Sequence, residues 1–324
     1  MTLPAAPLHA VGADGQPRLG RYAGLAESFG WHTLAEPFRR SALWRRLHHK
    51  RWHFVGIVTD EVYCATALVH VGWGSSAFGY VFERATGRDI ACFSSVGLPG
   101  MGAQVGANAR VPGSYRSFSE RIDILPAGTE DWMLGLSARG LRIDAAYGGA
   151  AAHLLAIGPA EGGSVHATQK SGAMTVAGVA VAGGRRFVLD EGVAIMDYSN
   201  GMLGRSTGWR WLSAHGPDVG INLQQGYFGG AENALWLDGK LLPLGEARFD
   251  MTPEGLCVRT ADGLVELHFT PDGERRDDKQ LLVASSRLRQ QIGVFDGWVR
   301  ATPDAAPRAV RRLAGMVEQH HARW

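Results

Sequence analysis

The chain has 324 residues, of which 45% are hydrophobic and 20% charged, with a formal net charge of +2. That length suits two domains of ordinary size, the apolar content excludes disorder, and near-neutrality leaves no electrostatic footprint for nucleic acid. Cys64, Cys92 and Cys257 are scattered, with no CxxC pair or Cys/His cluster. That pattern argues against a zinc site and suits a reducing, cytoplasmic compartment. The first twenty residues lack the basic flank and long apolar core of a signal peptide, and no run approaches the roughly 18 apolar residues of a membrane span. Glycine is abundant at 44 residues, which weakens helices and serves turns and bulges.

In chain order, residues 1–32 read as an irregular leader. A short helix is expected over 36–47, with Arg39, Arg40, Arg45 and Arg46 outside and Leu43, Trp44 and Leu47 inward. Its basic face leaves contact with phosphate, or a peripheral contact with anionic lipid, open, against the plainer reading of a solvated face on a covering helix. The period then changes to that of strands. Strand-like runs cover 52–58, 61–72, 77–83, 114–125, 132–138, 141–147 and 153–157, with Trp52 at a barrel base. The glycine-rich segment 97–106 lacks the Lys-Ser/Thr and following helix of a phosphate loop, so a loop is expected there. The pattern loosens over 158–172, a candidate junction, and strands resume from 173 to 300. Asp238-Gly239, Asp262-Gly263 and Asp272-Gly273 are hairpin signals, because type I′ turns need positive φ at both central positions. The tail, 305–319, reads as a helix.

Two long runs of antiparallel strands close or curl rather than leave edges open. The expected fold is therefore all-β: two tandem lipocalin-like antiparallel barrels over 1–160 and 161–324, with short flanking helices.

Candidate site residues concentrate in 190–245. Trp209 and Trp211 alternate across Arg210, and Asn222 and Gln224 across Leu223, so each pair shares a strand face. Indoles with a few placed amides are the lining of a small-molecule pocket, to which Tyr227 would add. Asp197 follows an apolar run and precedes a Tyr-Ser-Asn-Gly turn. Desolvation would raise its pKa and make it a proton donor; the alternative is a strand-end Asp that accepts bonds from the turn backbone. His153, His166 and Lys170 fall near the expected junction, where a histidine suits proton transfer and also suits a structural role. Glu232 and Asn233 follow Gly229-Gly230 and are placed to cap a barrel mouth.

The blocks KRWHFVGIVTDEVYCATALVHVGWGSSAFGYVFERATG (50–87), MDYSNGMLGRSTGWRWLSA, GINLQQGYFGGAENALWLDG and EARFD together resemble the bacterial domain-of-unknown-function 2804 family. More distantly, the pieces at 172–187, 193–197, Asn200-Gly201, Trp209 and Trp211 resemble the AttH and hydroxyneurosporene synthase group. That resemblance implies tandem lipocalin-like barrels. Its carotenoid 1,2-hydratases use an acidic residue to protonate an alkene, and Asp197 matches that motif position. The motif tyrosine precedes the acid in that group, whereas Tyr198 follows it here.

Three functions stay open on these readings. One is a cofactor-independent isomerase, cyclase or hydratase, needing no metal, that transfers protons on an apolar terpenoid, polyene or lipid-like molecule. Another is a non-catalytic carrier of a small hydrophobic ligand. The last is a partner-binding protein with filled barrels.

Overall fold

The computed structural model describes residues 2–97, 102–149, 152–253, 255–280 and 284–324. Two curled antiparallel sheets, each a half-barrel, make up the molecule. The first runs in the order Arg88–Gly97, Ser75–Glu83, Val62–His70, His49–Val58, Val193–Met202, Met174–Ala182, Leu141–Gly148, Asp131–Ala138, Arg121–Pro126 and Gly113–Arg116. Its Val193–Met202 strand also carries a branch through Val165–Lys170 and Leu154–Pro159 to Gly20–Ala23. The second sheet runs Lys240–Pro243, Ala234–Leu237, Val219–Gly226, Ser206–His215, Arg308–Arg323, Ser285–Val299, Val265–Gln280, Gly255–Thr260 and Ala247–Thr252.

Burial shows where the two sheets meet. Asp131–Ala138 and Leu141–Gly148 alternate buried and exposed positions, as strands with one wet face do. Val193–Met202 and Val165–Lys170 are buried on both faces. One face of these central strands packs on the first half-barrel's own core, which includes Val55, Trp132 and Met196. The other face meets the second sheet through Phe54, Tyr63, Phe78, Tyr80, Ile195, Trp211, Ile292 and Met316.

Several expectations change. The tail is a strand, Arg308–Arg323, paired on one side with Ser206–His215 and on the other with Ser285–Val299. Its Ala, Arg, Leu and Met content favours helix locally, but a place in the middle of a sheet overrides that preference. The N-terminal helix spans only Ala42–His48, with Ser41 capping the Trp44 amide at 3.3 Å. Leu43 and Leu47 lie on its exposed side, and Trp44 is half-buried, stacked on His48. The leader is not merely superficial: Phe29 and Trp31 are buried, and Gly20–Ala23 joins the first sheet.

The run 114–125 divides into Gly113–Arg116 and Arg121–Pro126, joined at Ser117–Glu120. Asp272-Gly273 is a bulge inside Val265–Gln280 rather than a hairpin turn. Asp238-Gly239 does have positive φ at both residues, 51° and 75°. The change of sheet falls between Met202 and Ser206, not at 160/161, because the loose-looking 158–172 region forms a hairpin within the first sheet, between Gly20–Ala23 and Val193–Met202. Within 97–106, residues 98–101 lie outside the described residues, as do 281–283 at the start of the expected 281–292 strand; that strand begins at Ser285. Among the described residues, no helix is long and apolar enough to cross a membrane.

Candidate active site between the sheets

Asp197 sits in mid-strand, since the Tyr-Ser-Asn-Gly sequence continues Val193–Met202 instead of turning. Antiparallel register places Asp197 opposite Lys170 on one side and opposite Phe54 on the other. Lys170 Nζ lies 2.8 Å from Asp197 Oδ2 and 3.4 Å from Glu232 Oε2, with all three side chains buried. Asp197 also accepts hydrogen bonds from Trp52 Nε1 at 3.2 Å, Thr168 Oγ1 at 3.3 Å and Ser199 Oγ at 3.3 Å. Burial works against the Lys170 charge, but Asp197 and Glu232 more than offset it and raise its pKa. Lys170 further stands 4.6 Å over the Trp211 ring, a cation–π contact.

The second sheet supplies the facing wall. Across it, Trp211 is paired with Glu318 and Trp209 with His320. Glu318 accepts from Trp209 Nε1 at 2.8 Å and from Gln290 Nε2 at 2.7 Å. Burial pushes its carboxyl up to about 7, against the two hydrogen bonds; Asp197 adds to the rise and Lys170 opposes it. Burial also raises the Glu232 carboxyl, with Lys170 opposing the rise. The nearby imidazoles go the other way: burial holds His166 and His320 down at about 3. For His166 this fits the structural reading of the two that the sequence left open: its Nε2 meets the Tyr227 hydroxyl at 3.2 Å.

These walls enclose a cavity of about 90 Å³ lined by Trp52, Phe54, Lys170, Asp197, Trp209, Trp211, Gln224, Tyr227, Glu232, Glu318 and other residues. Trp52 stacks on Trp209 at 6.1 Å, so it belongs to this cavity and not to a barrel base. Val69, Phe78, Leu288, His320 and Trp324 line both this cavity and a second, largely apolar one of about 120 Å³. The two cavities adjoin across these five side chains.

Of the residues singled out in the sequence, Asp197, Trp209, Trp211, Gln224 and Tyr227 converge here. Asn222 stands one layer back, accepting from Trp211 Nε1 at 2.7 Å and donating to the Glu232 carbonyl at 2.9 Å. Gln224 is buried, and neither polar atom of its side chain has a hydrogen-bond partner. His153 is elsewhere, packed 5.6 Å from Trp132 in the first half-barrel's core and held by burial at about 4. Glu318 escaped the sequence reading because it lies on the tail expected to be helical. The alternation of Met316, Glu318 and His320 was the available signal.

A family model described as "Domain of unknown function (DUF2804)" matches residues 14–324. Among curated proteins, no sequence matches. Solved structures of similar fold include three. "CghA with Sch210972" has a TM-score of 0.57 at 10% identity, over 84% of this chain and 88% of that one. Kievitone hydratase from Nectria haematococca has a TM-score of 0.54 at 9% identity, over 93% and 97%. A putative AttH from Nitrosomonas europaea has a TM-score of 0.41 at 14% identity, over 89% and 96%. At such identities the first two establish the shared fold and nothing further.

Proposed function

The chain belongs to the DUF2804 family, and from the geometry of its inter-sheet site we propose that it is a cofactor-independent enzyme acting by proton transfer on an apolar small molecule. The reaction class is isomerisation, cyclisation or hydration of a terpenoid, polyene or lipid-like substrate. The observation that carries this reading is the placement of Glu318, a buried cavity-lining carboxyl beside Trp209 that has no ion pair among the described residues, whereas Asp197 and Glu232 share Lys170. Burial also raises its pKa.

A group with a pKa near the working pH is present in both protonation states, as general acid–base catalysis requires. Asp197, the position matching the hydratase motif, is already paired with Lys170 and accepts three further hydrogen bonds. Its role in this reading is electrostatic: it repels the ionised form of Glu318 and fixes Lys170 over Trp211. Trp52, Trp209 and Trp211 offer aromatic faces to a developing cation. Gln224 offers an unsatisfied amide to a carbonyl or hydroxyl of the substrate. The adjoining apolar cavity offers room for the apolar part of a substrate whose reactive end lies beside Glu318. That such proteins as kievitone hydratase share the fold is consistent with this reading.

A carrier of a hydrophobic ligand would use the same lining, and the fully paired Asp197 favours that alternative in one respect, since it is not free to donate a proton. The two part on Glu318. Carbon NMR of glutamate-labelled protein, with Glu318→Gln for assignment, is expected to show one side-chain carboxyl titrating near neutrality and shifting when an apolar ligand binds. A Glu318 carboxyl that titrates in the ordinary range near 4 removes the proton carrier and leaves the carrier protein.

A further inference from the structure

A third cavity, of about 480 Å³, shares no lining residue with the other two and differs from them in character. Arg45 and Arg46 reach it from the Ala42–His48 helix, Arg51 and His49 from the His49–Val58 strand, and His70 from the adjacent strand, where it is the direct partner of Arg51. Gly72 holds the helix against this hairpin. At φ +83° it lets the Arg46 carbonyl oxygen approach to where a Cβ would stand only 2.0 Å away.

None of the three guanidiniums forms an ion pair among the described residues. Arg45 donates to the Arg40 carbonyl, and Arg51 makes one long contact, 3.5 Å, to the Gly106 carbonyl. Arg51 Nε is buried without a hydrogen-bond partner. The single acid on the rim, Glu27, is exposed. Burial and then the neighbouring cations Arg51, His70 and Lys50 hold His49 at about 4 despite its bond to Asn200, and His70 is lowered for the same reasons. Positive charge without a compensating carboxylate is costly to gather, and a bound anion removes that cost.

We propose that this cavity is a phosphate-binding site, with Arg45, Arg46 and Arg51 as the donors. Guanidinium forks match phosphate oxygens in pairs, and three of them exceed what a single carboxylate can engage. Phe29, Trp31 and Met202 form an apolar side against which the organic part of a phosphate monoester would lie. The phosphate could belong to a soluble metabolite or to a lipid headgroup.

The test uses the full chain with glycerol 3-phosphate in titration calorimetry and, separately, flotation with vesicles of neutral lipid with or without phosphatidic acid. The expected result is saturable binding to at least one probe, weakened roughly tenfold or more in Arg51→Gln and in the Arg45→Gln/Arg46→Gln double variant. Binding of glycerol 3-phosphate alone identifies a soluble ligand, and binding to phosphatidic acid vesicles alone identifies a headgroup. Should Arg51→Gln fail to fold, the double variant decides, because it alters a partly exposed helix. No saturable binding to either probe, or binding unchanged in the double variant, overturns the assignment.

Discussion

Lys170 and Asp197 face each other across adjacent antiparallel strands with 2.8 Å between Nζ and Oδ2, and the same ammonium reaches Glu232, in the turn between Val219–Gly226 and Ala234–Leu237 of the second half-barrel, at 3.4 Å. One buried cation thereby answers two buried carboxylates and joins the two half-barrels at the site. Removing it leaves both acids uncompensated in a dry interior. Lys170→Met is expected to destabilise the fold by about 3–5 kcal/mol, the range for breaking a buried pair from one side. Urea unfolding followed by tryptophan fluorescence measures this, and a loss below about 1 kcal/mol would show that the network is hydrated and not dry.

Glu318 makes stability depend on pH in a predictable direction. Its carboxyl is raised from 4.5 to about 7 by burial, so the folded state holds a proton that the unfolded chain releases. That stabilisation is complete below about pH 4.5, declines as pH climbs toward 7, and is gone above it. The neutral Glu318→Gln variant lacks this decline, so its stability relative to the parent should improve by about 3 kcal/mol between pH 4.5 and 8. Thermal melts of both proteins across that interval provide the comparison; parallel curves would contradict the shift.

Gln224 offers a separation of folding from binding. Both polar atoms of its buried amide lack partners, so Gln224→Leu should leave stability unchanged or raise it by about 1 kcal/mol. The same change should weaken a ligand that carries a carbonyl or hydroxyl. A marked loss of stability would mean that the amide is satisfied within the protein.

Trp211 holds two polar groups in place, donating to Asn222 and lying beneath Lys170. Trp211→Phe keeps an aromatic face but strands the Asn222 acceptor, at a cost of about 1–3 kcal/mol. Because both single changes break the same bond, Trp211→Phe combined with Asn222→Leu should cost less than the sum of the two in chemical denaturation. Additive costs would place the Trp211→Phe loss in the missing indole volume instead.

The all-β class and the indole-amide lining were legible because period-2 spacing is a local property. Trp209 with Trp211, and Asn222 with Gln224, each reveal a common face without knowledge of any partner strand. What sequence could not disclose is non-local. Asp197 gains its meaning from Lys170, Thr168 and Trp52, which register alone brings to it. Glu318 was hidden by the helical propensity of residues that a central strand position turned into sheet. His153 lies close in sequence to the hairpin that carries Lys170, yet its side chain packs into the first half-barrel's core, away from the cavity. The apparent junction at 158–172 was loose in pattern because its strands are buried on both faces, so alternation had nothing to mark.

The most direct test is to purify the parent and Glu318→Gln proteins from the native host and compare, by mass spectrometry, the apolar molecules each yields on organic extraction. The two are predicted to hold related compounds of one skeleton, isomers or a pair differing by one water, with the precursor enriched in the variant. Incubating that precursor with the parent protein should convert it. The same compound in both proteins, left unchanged by the parent, would contradict proton transfer by Glu318 and leave a ligand carrier.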